Sequence, residues 1–379
     1  MVCEDSLVHH VAGPVPLRFS YAIVGLTIVA VVAIVALVRC TTGAPLVASI
    51  PGGWWGFGLV LAVGGLLLAA SAGWLGHHSF ASDRLGKYQL EERIGVGGMG
   101  EVYRATHRYL RRPTAVKLLP PEKVNDRTRA RFEREVQRTA LLQHPNTISI
   151  YDYGRSRTGV FYYAMELVPG LSLTQLVGES GPLPIARVIH ILRQVCGSLA
   201  EAHDAGLVHR DIKPSNIMVA RWGGIWDFVK VVDFGLVKVQ DTPADVQLTK
   251  SRVLLGTPEY LAPEAILTPQ EVDHRADLYG VGAVGSYLLT GRPVFGGDKT
   301  KEVLAQHLGQ RPPKPLPDAT DEVGQELQDL ILACLAKTPD LRPASAQIME
   351  QRLEGLSRLA PWSQEDAETW WRARPGGES

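Results

Sequence analysis

The sequence predicts an α+β protein in three parts: a two-helix transmembrane hairpin, a small β-rich lobe and a larger helical lobe. Three observations predict it. Two long uncharged runs stand near the N-terminus, short alternating segments follow them, and helical patterns fill most of the remainder. The 379 residues are too many for one small domain. Formal net charge is zero, with 39 basic and 39 acidic side chains, so the positive field of a nucleic-acid binder is missing and no nucleic-acid partner is expected. Cys3, Cys40, Cys196 and Cys334 show no C-x-x-C spacing, which argues against a disulfide framework or a zinc site. Cys196 and Cys334 read as small apolar residues in helices.

The first run, Phe19 to Val38, is 20 residues long and is closed by Arg18 and Arg39. A helix of that length spans about 30 Å, the thickness of a bilayer core. The second runs from Trp54 to Leu75, with Trp54, Trp55 and Trp74 at its ends, as at a membrane interface. The expected layout is an N-terminal cytoplasmic segment (1–18), transmembrane helices at 19–38 and 54–76, a short extracytoplasmic loop (39–53) and a juxtamembrane linker (77–87). Buried core helices are the competing reading, and two tandem runs without an amphipathic period argue against it. A cleaved signal peptide competes for the first run alone; its charged flank is thin, and the second run would remain an anchor. Arg18, Arg39, Arg84 and Lys87 nearly balance, so flanking charge leaves the orientation open. Gly65, Ala69 and Gly73 recur at every fourth position, which reads as a face that packs the hairpin on itself, as one that supports a homodimer, or as a Gly/Ala-rich helix with no special contact.

From about Ser82 the composition becomes that of a globular protein. "YQLEERIG", "EVYRATH" and "PTAVKLL" read as three strands, and 146–153 and 160–167 as two more. Between 127 and 144, Phe132, Val136, Leu141 and Leu142 fall on one helical face. Later helices are expected at 185–205, 278–290, 325–335 and 344–353.

The stretch "IGVGGMGEVYRA" holds Gly95, Gly97 and Gly100 in the pattern G-x-G-x-x-G. Alone, this is either a phosphate-binding loop or a glycine turn between strands. No helix follows, which argues against a dinucleotide fingerprint, and no G-K-[ST] follows, which excludes a P-loop. Downstream stand "AVK" (115–117), "VHRDIKPSNIMV" (208–219), "DFG" 17 residues after Asn216, and "GTPEYLAPE" (256–264). In this order the motifs resemble the protein kinases. The likeness covers about 88–354, and "IGVGGMGEVY" with "HPN" (144–146) is most similar to the bacterial eukaryotic-type (Hanks-type) Ser/Thr kinases.

The resemblance implies a two-lobed fold, with an N-lobe at 88–168 and a C-lobe at 169–354, that uses ATP and Mg²⁺, or Mn²⁺, to phosphorylate protein Ser/Thr hydroxyls. Phosphoryl transfer needs positioning and charge neutralisation more than covalent help. Gly95, Gly97, Gly98 and Gly100, with Val102, would cover the nucleotide. Lys117 would hold the α and β phosphates, and Glu135 would pair with Lys117. Asp233 and Asn216 would be the metal ligands. Asp211 would take or orient the proton of the attacking hydroxyl, and Lys213 would steady the γ-phosphate. Met165 would back the adenine pocket, with Glu166 and Val168 offering backbone groups. Arg210 precedes the catalytic Asp, as in kinases whose activation segment is phosphorylated. Thr249 and Ser251, then Thr242, are the expected sites. Glu264 with Arg342 resembles a structural ion pair, and Asp277 a brace of the catalytic loop.

ATP is abundant in the cytoplasm, so the kinase domain is expected there, which places both ends of the chain inside the cell membrane. One departure stands out: "RWGGIWDF" (221–228) lengthens the interval between Asn216 and Asp233 and reads as an extended hairpin. Trp222 and Trp226 there offer either a docking surface or simple packing. In the tail (355–379) a helix is expected from Ser363. Trp362, Trp370 and Trp371 would pack on the large lobe, meet a partner or touch the membrane.

Overall fold

Alternating side chains build the first layer. Strands β1 (Arg84–Leu85), β2 (Tyr88–Gly97), β3 (Gly100–His107), β4 (Arg112–Leu119), β5 (Ile150–Arg155) and β6 (Phe161–Glu166) form one antiparallel sheet in the order β1-β2-β3-β4-β6-β5. Successive strand residues point to opposite faces, so the sheet has two apolar sides. Val116 and Leu118 of β4 join Leu90, Tyr103, Tyr162 and Ala164 on one side. Ala115 and Leu119 join Val136, Ile148, Tyr163 and Met165 on the other. Lys117 falls in the second set by alternation, and its register partner on β6 is Tyr163.

The computed structural model describes residues 84–97, 100–119, 126–156, 159–234 and 257–374. The apolar runs at 19–38 and 54–76, Gly98, and the segment carrying Thr242, Thr249 and Ser251 lie outside the described residues. Among the described residues no helix is long and apolar enough to cross a membrane.

Helix α1 (Asp126–Thr139) is shorter than its sequence pattern. It was expected to run to residue 144 with Leu141 on its apolar face, but Leu141 is 77% exposed. The last turn tightens, with Leu141 and Leu142 N–H donating to Arg138 and Thr139 carbonyls three residues back. The Glu201 carboxylate then takes the next two amides, Gln143 and His144, at 2.8 Å each. Pro145 follows, and the residue before a proline is pushed out of helical geometry. Leu142 packs instead against the core of the helical lobe.

A second sheet, in the order β7-β8-β9, joins β7 (Gly170–Ser172), β8 (Ile217–Trp222) and β9 (Ile225–Val231). Within "PGLSL" (169–173), whose Pro and Gly read locally as a turn, the chain forms strand β7. A Cβ at Gly170 would lie 2.2 Å from the Val219 carbonyl oxygen, so glycine alone permits that pairing. Gly223 and Gly224 both adopt positive φ (57° and 86°), the turn that a two-residue hairpin between β8 and β9 requires.

The helical lobe contains α2 (Leu173–Ser180), α3 (Ile185–Asp204), α4 (Pro263–Leu267), α5 (Arg275–Thr290), α6 (Thr300–Gly309), α7 (Glu322–Cys334) and α8 (Ala346–Leu359). Helices α3 and α5 are the most enclosed, with Ile189, Leu192, Leu199, Leu278, Val281 and Val284 at 0% exposure. A helix buried on several sides reads as apolar all round, which is why both were legible. Helices α2, α4 and α6 were not expected from the sequence; all three are short. Cys196 and Cys334 are free and buried, as expected.

The tail helix forms as expected, α9 (Gln364–Ala373), with a capping box between Ser363 and Asp366. It lies on β9. Gln364 accepts from Trp226 N–H at 2.7 Å and donates to Trp226 O at 3.2 Å, and Trp226 stacks with Trp371. At Trp226 the inserted hairpin packs against the chain's own tail.

Candidate active site

The catalytic-loop residues lie between α3 and β8. The Asp277 carboxylate, 1% exposed at the start of α5, accepts from the backbone N–H of His209 (2.7 Å) and of Arg210 (2.7 Å), and bonds His203 Nε2 (2.9 Å). Arg210 has φ 62°, a conformation costing a non-glycine residue about 1–2 kcal/mol. Two hydrogen bonds to an ionised acceptor at neighbouring amides offset such a cost. Gly280, one turn along α5, completes the support, since a Cβ there would sit 2.8 Å from the Ile212 side chain.

His209 is fully buried. Its Nε2 faces Val232 O at 3.1 Å and its Nδ1 accepts from Asp211 N–H at 3.2 Å, an arrangement that fits a neutral ring protonated at Nε2. Burial pushes its pKa down despite the nearby Asp277 and Asp211 charges. Asp211 is 8% exposed. Its Oδ2 accepts from Lys213 Nζ at 2.9 Å and from Asn216 Nδ2 at 3.0 Å. Asn216 Nδ2 also bonds Asp211 O, so its amide donor faces Asp211 and its oxygen is turned elsewhere.

Asp233 is tied to this loop through the backbone, because Val232 N–H donates to Asn216 O at 2.9 Å. Its carboxylate takes Lys117 Nζ at 2.7 Å on Oδ2 and the Tyr163 hydroxyl at 2.9 Å on Oδ1. Burial would raise the Asp233 pKa, but the Lys117 charge and the two hydrogen bonds outweigh it and hold the carboxyl below its ordinary value. Lys117, Asp211, Lys213, Asn216 and Asp233 thus form two linked clusters. Glu135 is half-buried on α1 beside Val136, and its backbone oxygen accepts from Thr139 Oγ1. The contact found for Lys117 is the one to Asp233; the expected pairing with Glu135 remains a proposal.

The strand pair β2–β3 carries the glycines. Gly95 is opposite Val102 and Gly97 opposite Gly100, and Gly100 has φ 143°. Met165 is buried on the same sheet face as Tyr163. The Glu166 carboxylate is fixed by Lys230 Nζ (2.7 Å) and Ser149 N–H (2.8 Å), both side chains of the ion pair being nearly enclosed. Glu166 N–H donates to Ser149 O, and Val168 O accepts from Gly170 N–H. Tyr163 and Lys230 were not singled out from the sequence. The signal available was positional only: Tyr163 stands two residues before Met165, and Lys230 three before Asp233.

Glu264 and Arg342 pair through two bonds of 2.6 and 2.7 Å, as expected, and the Arg342 side chain is fully buried. A depression of about 280 Å³ lies beside this pair, lined by Asp273, His274, Arg275, Pro339, Asp340 and Arg342. Its arginines are already committed to carboxylates, and it holds none of Lys117, Asp211, Lys213, Asn216 and Asp233.

A hard divalent cation fits the donors present. Magnesium binds through one or two carboxylates plus substrate phosphates and needs no all-protein cage. Asp233 and the Asn216 amide oxygen supply that kind of ligand. Among the described residues no group of three or more His, Cys, Asp or Glu forms a metal cage.

A glycine turn on a sheet, a lysine on β4, and an Asp–Asn–Asp set on loops of the helical lobe define a nucleotide-dependent phosphotransferase cleft. The chain belongs to the protein kinase family, whose domain model matches residues 88–353. It is 41% identical over 277 residues to the serine/threonine-protein kinase pkn3 of Myxococcus xanthus, covering 72% of this chain and 50% of that protein. It is 38% identical over 291 residues to the serine/threonine-protein kinase PknB of Mycolicibacterium smegmatis, covering 74% and 45%. The crystal structure of the Mycobacterium tuberculosis PknI kinase domain superposes with a TM-score of 0.57 at 27% identity, over 73% of this chain and 98% of that one. The chain therefore spans about half the length of the curated relatives it matches.

Proposed function

We propose that the protein transfers the γ-phosphate of ATP to serine and threonine hydroxyls of proteins. The observation that carries this is Asp211, enclosed and oriented by Lys213 and Asn216 in a loop braced by Asp277. Asp211 accepts the proton of the attacking hydroxyl, and Lys213 is placed to meet the transferred phosphoryl group. Lys117 binds the α and β phosphates, and Glu135 holds Lys117 there once it leaves Asp233. Asp233 and Asn216 hold Mg²⁺, which neutralises phosphate charge. The Glu166 carbonyl and Val168 N–H read the adenine edge behind Met165. A pseudokinase is not favoured, because Lys117, Asp211, Asn216 and Asp233 are all present.

The same reading extends to the cell. The runs at 19–38 and 54–76 anchor the protein in the cytoplasmic membrane, with the kinase domain in the cytoplasm and the Gly65–Ala69–Gly73 face available to a second copy. Thr249, Ser251 and Thr242 are the candidate autophosphorylation sites.

The test is phosphate transfer from labelled ATP and Mg²⁺ by the 379-residue chain in detergent, beside Asp211→Asn. General-base loss lowers rates about 10²–10⁴-fold. A rate within about fivefold of wild type, from a folded variant, would remove Asp211 from this role.

A further inference from the structure

Tyr163 enters the site from the least expected direction. On β6 it lies directly opposite Lys117 in the antiparallel register, so both side chains leave the same face of the sheet. Both end on one carboxylate. Lys117 Nζ takes Asp233 Oδ2 at 2.7 Å, and the Tyr163 hydroxyl takes Oδ1 at 2.9 Å. We propose that Tyr163 is a positioning residue for Asp233: its hydroxyl fixes the carboxylate in the orientation that receives the divalent cation accompanying ATP.

Three observations support this. First, the two partners differ in mobility. Tyr163 is 1% exposed, its ring packed in a cluster with Ala115, Leu119, Val136, Phe161 and Met165, and it has only two side-chain torsions. Lys117 is a flexible stem with a point charge, suited to moving from carboxylate to phosphate. Second, the two ends of this contact differ in exposure: the Asp233 side chain retains 24% exposure, whereas Tyr163 is 1% exposed, so the phenol reaches the carboxylate from the packed interior of the sheet. Third, Asp233 has φ 59°. Such a backbone persists only where the surroundings over-determine it, and a fixed donor on Oδ1 is one such constraint.

The inference rests on Asp233 being a metal ligand, and the experiment separates the two claims. Binding of a β,γ-imido analogue of ATP to the full-length chain is followed by tryptophan fluorescence across a Mg²⁺ titration, with a thermal melt on each protein. In Tyr163→Phe the half-saturating Mg²⁺ concentration is expected to rise about tenfold, a loss typical of a hydrogen bond to a charged group. Nucleotide affinity in EDTA should stay within about twofold. A purely structural hydroxyl would lower the melting temperature and leave the Mg²⁺ dependence alone; that result, or a fall in half-saturating Mg²⁺, overturns the proposal. In an Asp233→Asn background the Tyr163 substitution should add nothing, and a persisting tenfold shift there means Tyr163 acts elsewhere and overturns it too. If Asp233→Asn itself leaves the Mg²⁺ dependence unchanged, the metal-ligand reading fails first and takes this inference with it. Tyr163→Met, which also lacks the donor, replaces Tyr163→Phe should the latter not melt cooperatively, with the same expected shift.

Discussion

Asp227→Ala should be among the most damaging single changes in this chain, although it lies outside the catalytic motifs. Asp227 stands in the inserted hairpin at 0% exposure. Its carboxylate accepts from Arg187 Nε (2.8 Å) and Nη2 (2.9 Å) on α3, and from the indole N–H of Trp362 (2.8 Å) and Trp371 (2.7 Å) in the tail. Arg187 is equally enclosed, lies 3.9 Å from the centre of the Trp370 ring, and has no other carboxylate among its described ion pairs. Removing Asp227 leaves a buried guanidinium uncompensated, which costs about 3–5 kcal/mol. Two orphaned indole donors would add about 1–3 kcal/mol each if nothing relaxed. The tail is able to lift and readmit water, so the expected total is about 4–6 kcal/mol rather than the sum. That is a large share of the roughly 5–15 kcal/mol available to a typical domain. The assay is a urea melt of the full-length chain with limited proteolysis at the tail. A loss below about 1 kcal/mol would refute the reasoning, because it would mean that Arg187 is solvated without Asp227. Arg187→Met/Asp227→Ala gives the sharper control: removing both charges should be less harmful than removing Asp227 alone.

Two further outcomes follow from buried groups. Arg342→Ala should destabilise the fold by about 3–5 kcal/mol in the same melt, because Glu264 loses a two-pronged partner; a loss below about 1 kcal/mol would show that water or Arg275 replaces it. His307, fully buried and bonded at Nδ1 to the Tyr279 hydroxyl (2.7 Å), has its pKa lowered to about 4 by burial and then by Lys337. Between about pH 6.5 and 4 the unfolded chain takes a proton there that the folded chain refuses, so its contribution, full above pH 6.5, is lost as pH falls. His307→Gln should therefore flatten the fall in stability across that window, and an unchanged slope would assign the acid sensitivity to other groups such as His209.

The fold was legible where a single segment carries its own signal. The strands of the first sheet alternate, and α3 and α5 are apolar on several sides because they are enclosed on several sides. The misreadings share a cause. The segment at 127–144 has a helical period to its end, but Glu201, 57 residues from His144, captures the amides that would have continued the helix. The strand at 170–172 exists because Gly170 admits Val219 at close range, a contact made 49 residues away that leaves no local pattern. Local periodicity reports the burial that a segment seeks, and a competing long-range acceptor overrides it.

The site divides along the same line. Residues that would touch nucleotide or hydroxyl, such as Lys117, Asp211, Asn216 and Asp233, are readable because phosphoryl transfer demands particular side chains in loops of fixed order. Among the residues that hold them in place, Asp277 was readable through the family resemblance and does brace His209 and Arg210, whereas Tyr163 was not. Tyr163 reaches Asp233 from 70 residues away, and a donor arriving there from some strand could belong to several residue types, so its identity follows from geometry rather than from a motif. The hairpin at 221–228 and the tail make the same point outside the site. In the sequence they are an insertion and a tryptophan-rich end with no visible relation, 135 residues apart at Asp227 and Trp362. In the fold the Asp227 carboxylate of the hairpin accepts from the tail's two indole N–H groups, and the tail's Gln364 bonds both backbone groups of Trp226. Whatever sets the length of one must therefore constrain the other, and a change that shortens the hairpin should be tolerated only if the tail, with its two indole donors, changes with it.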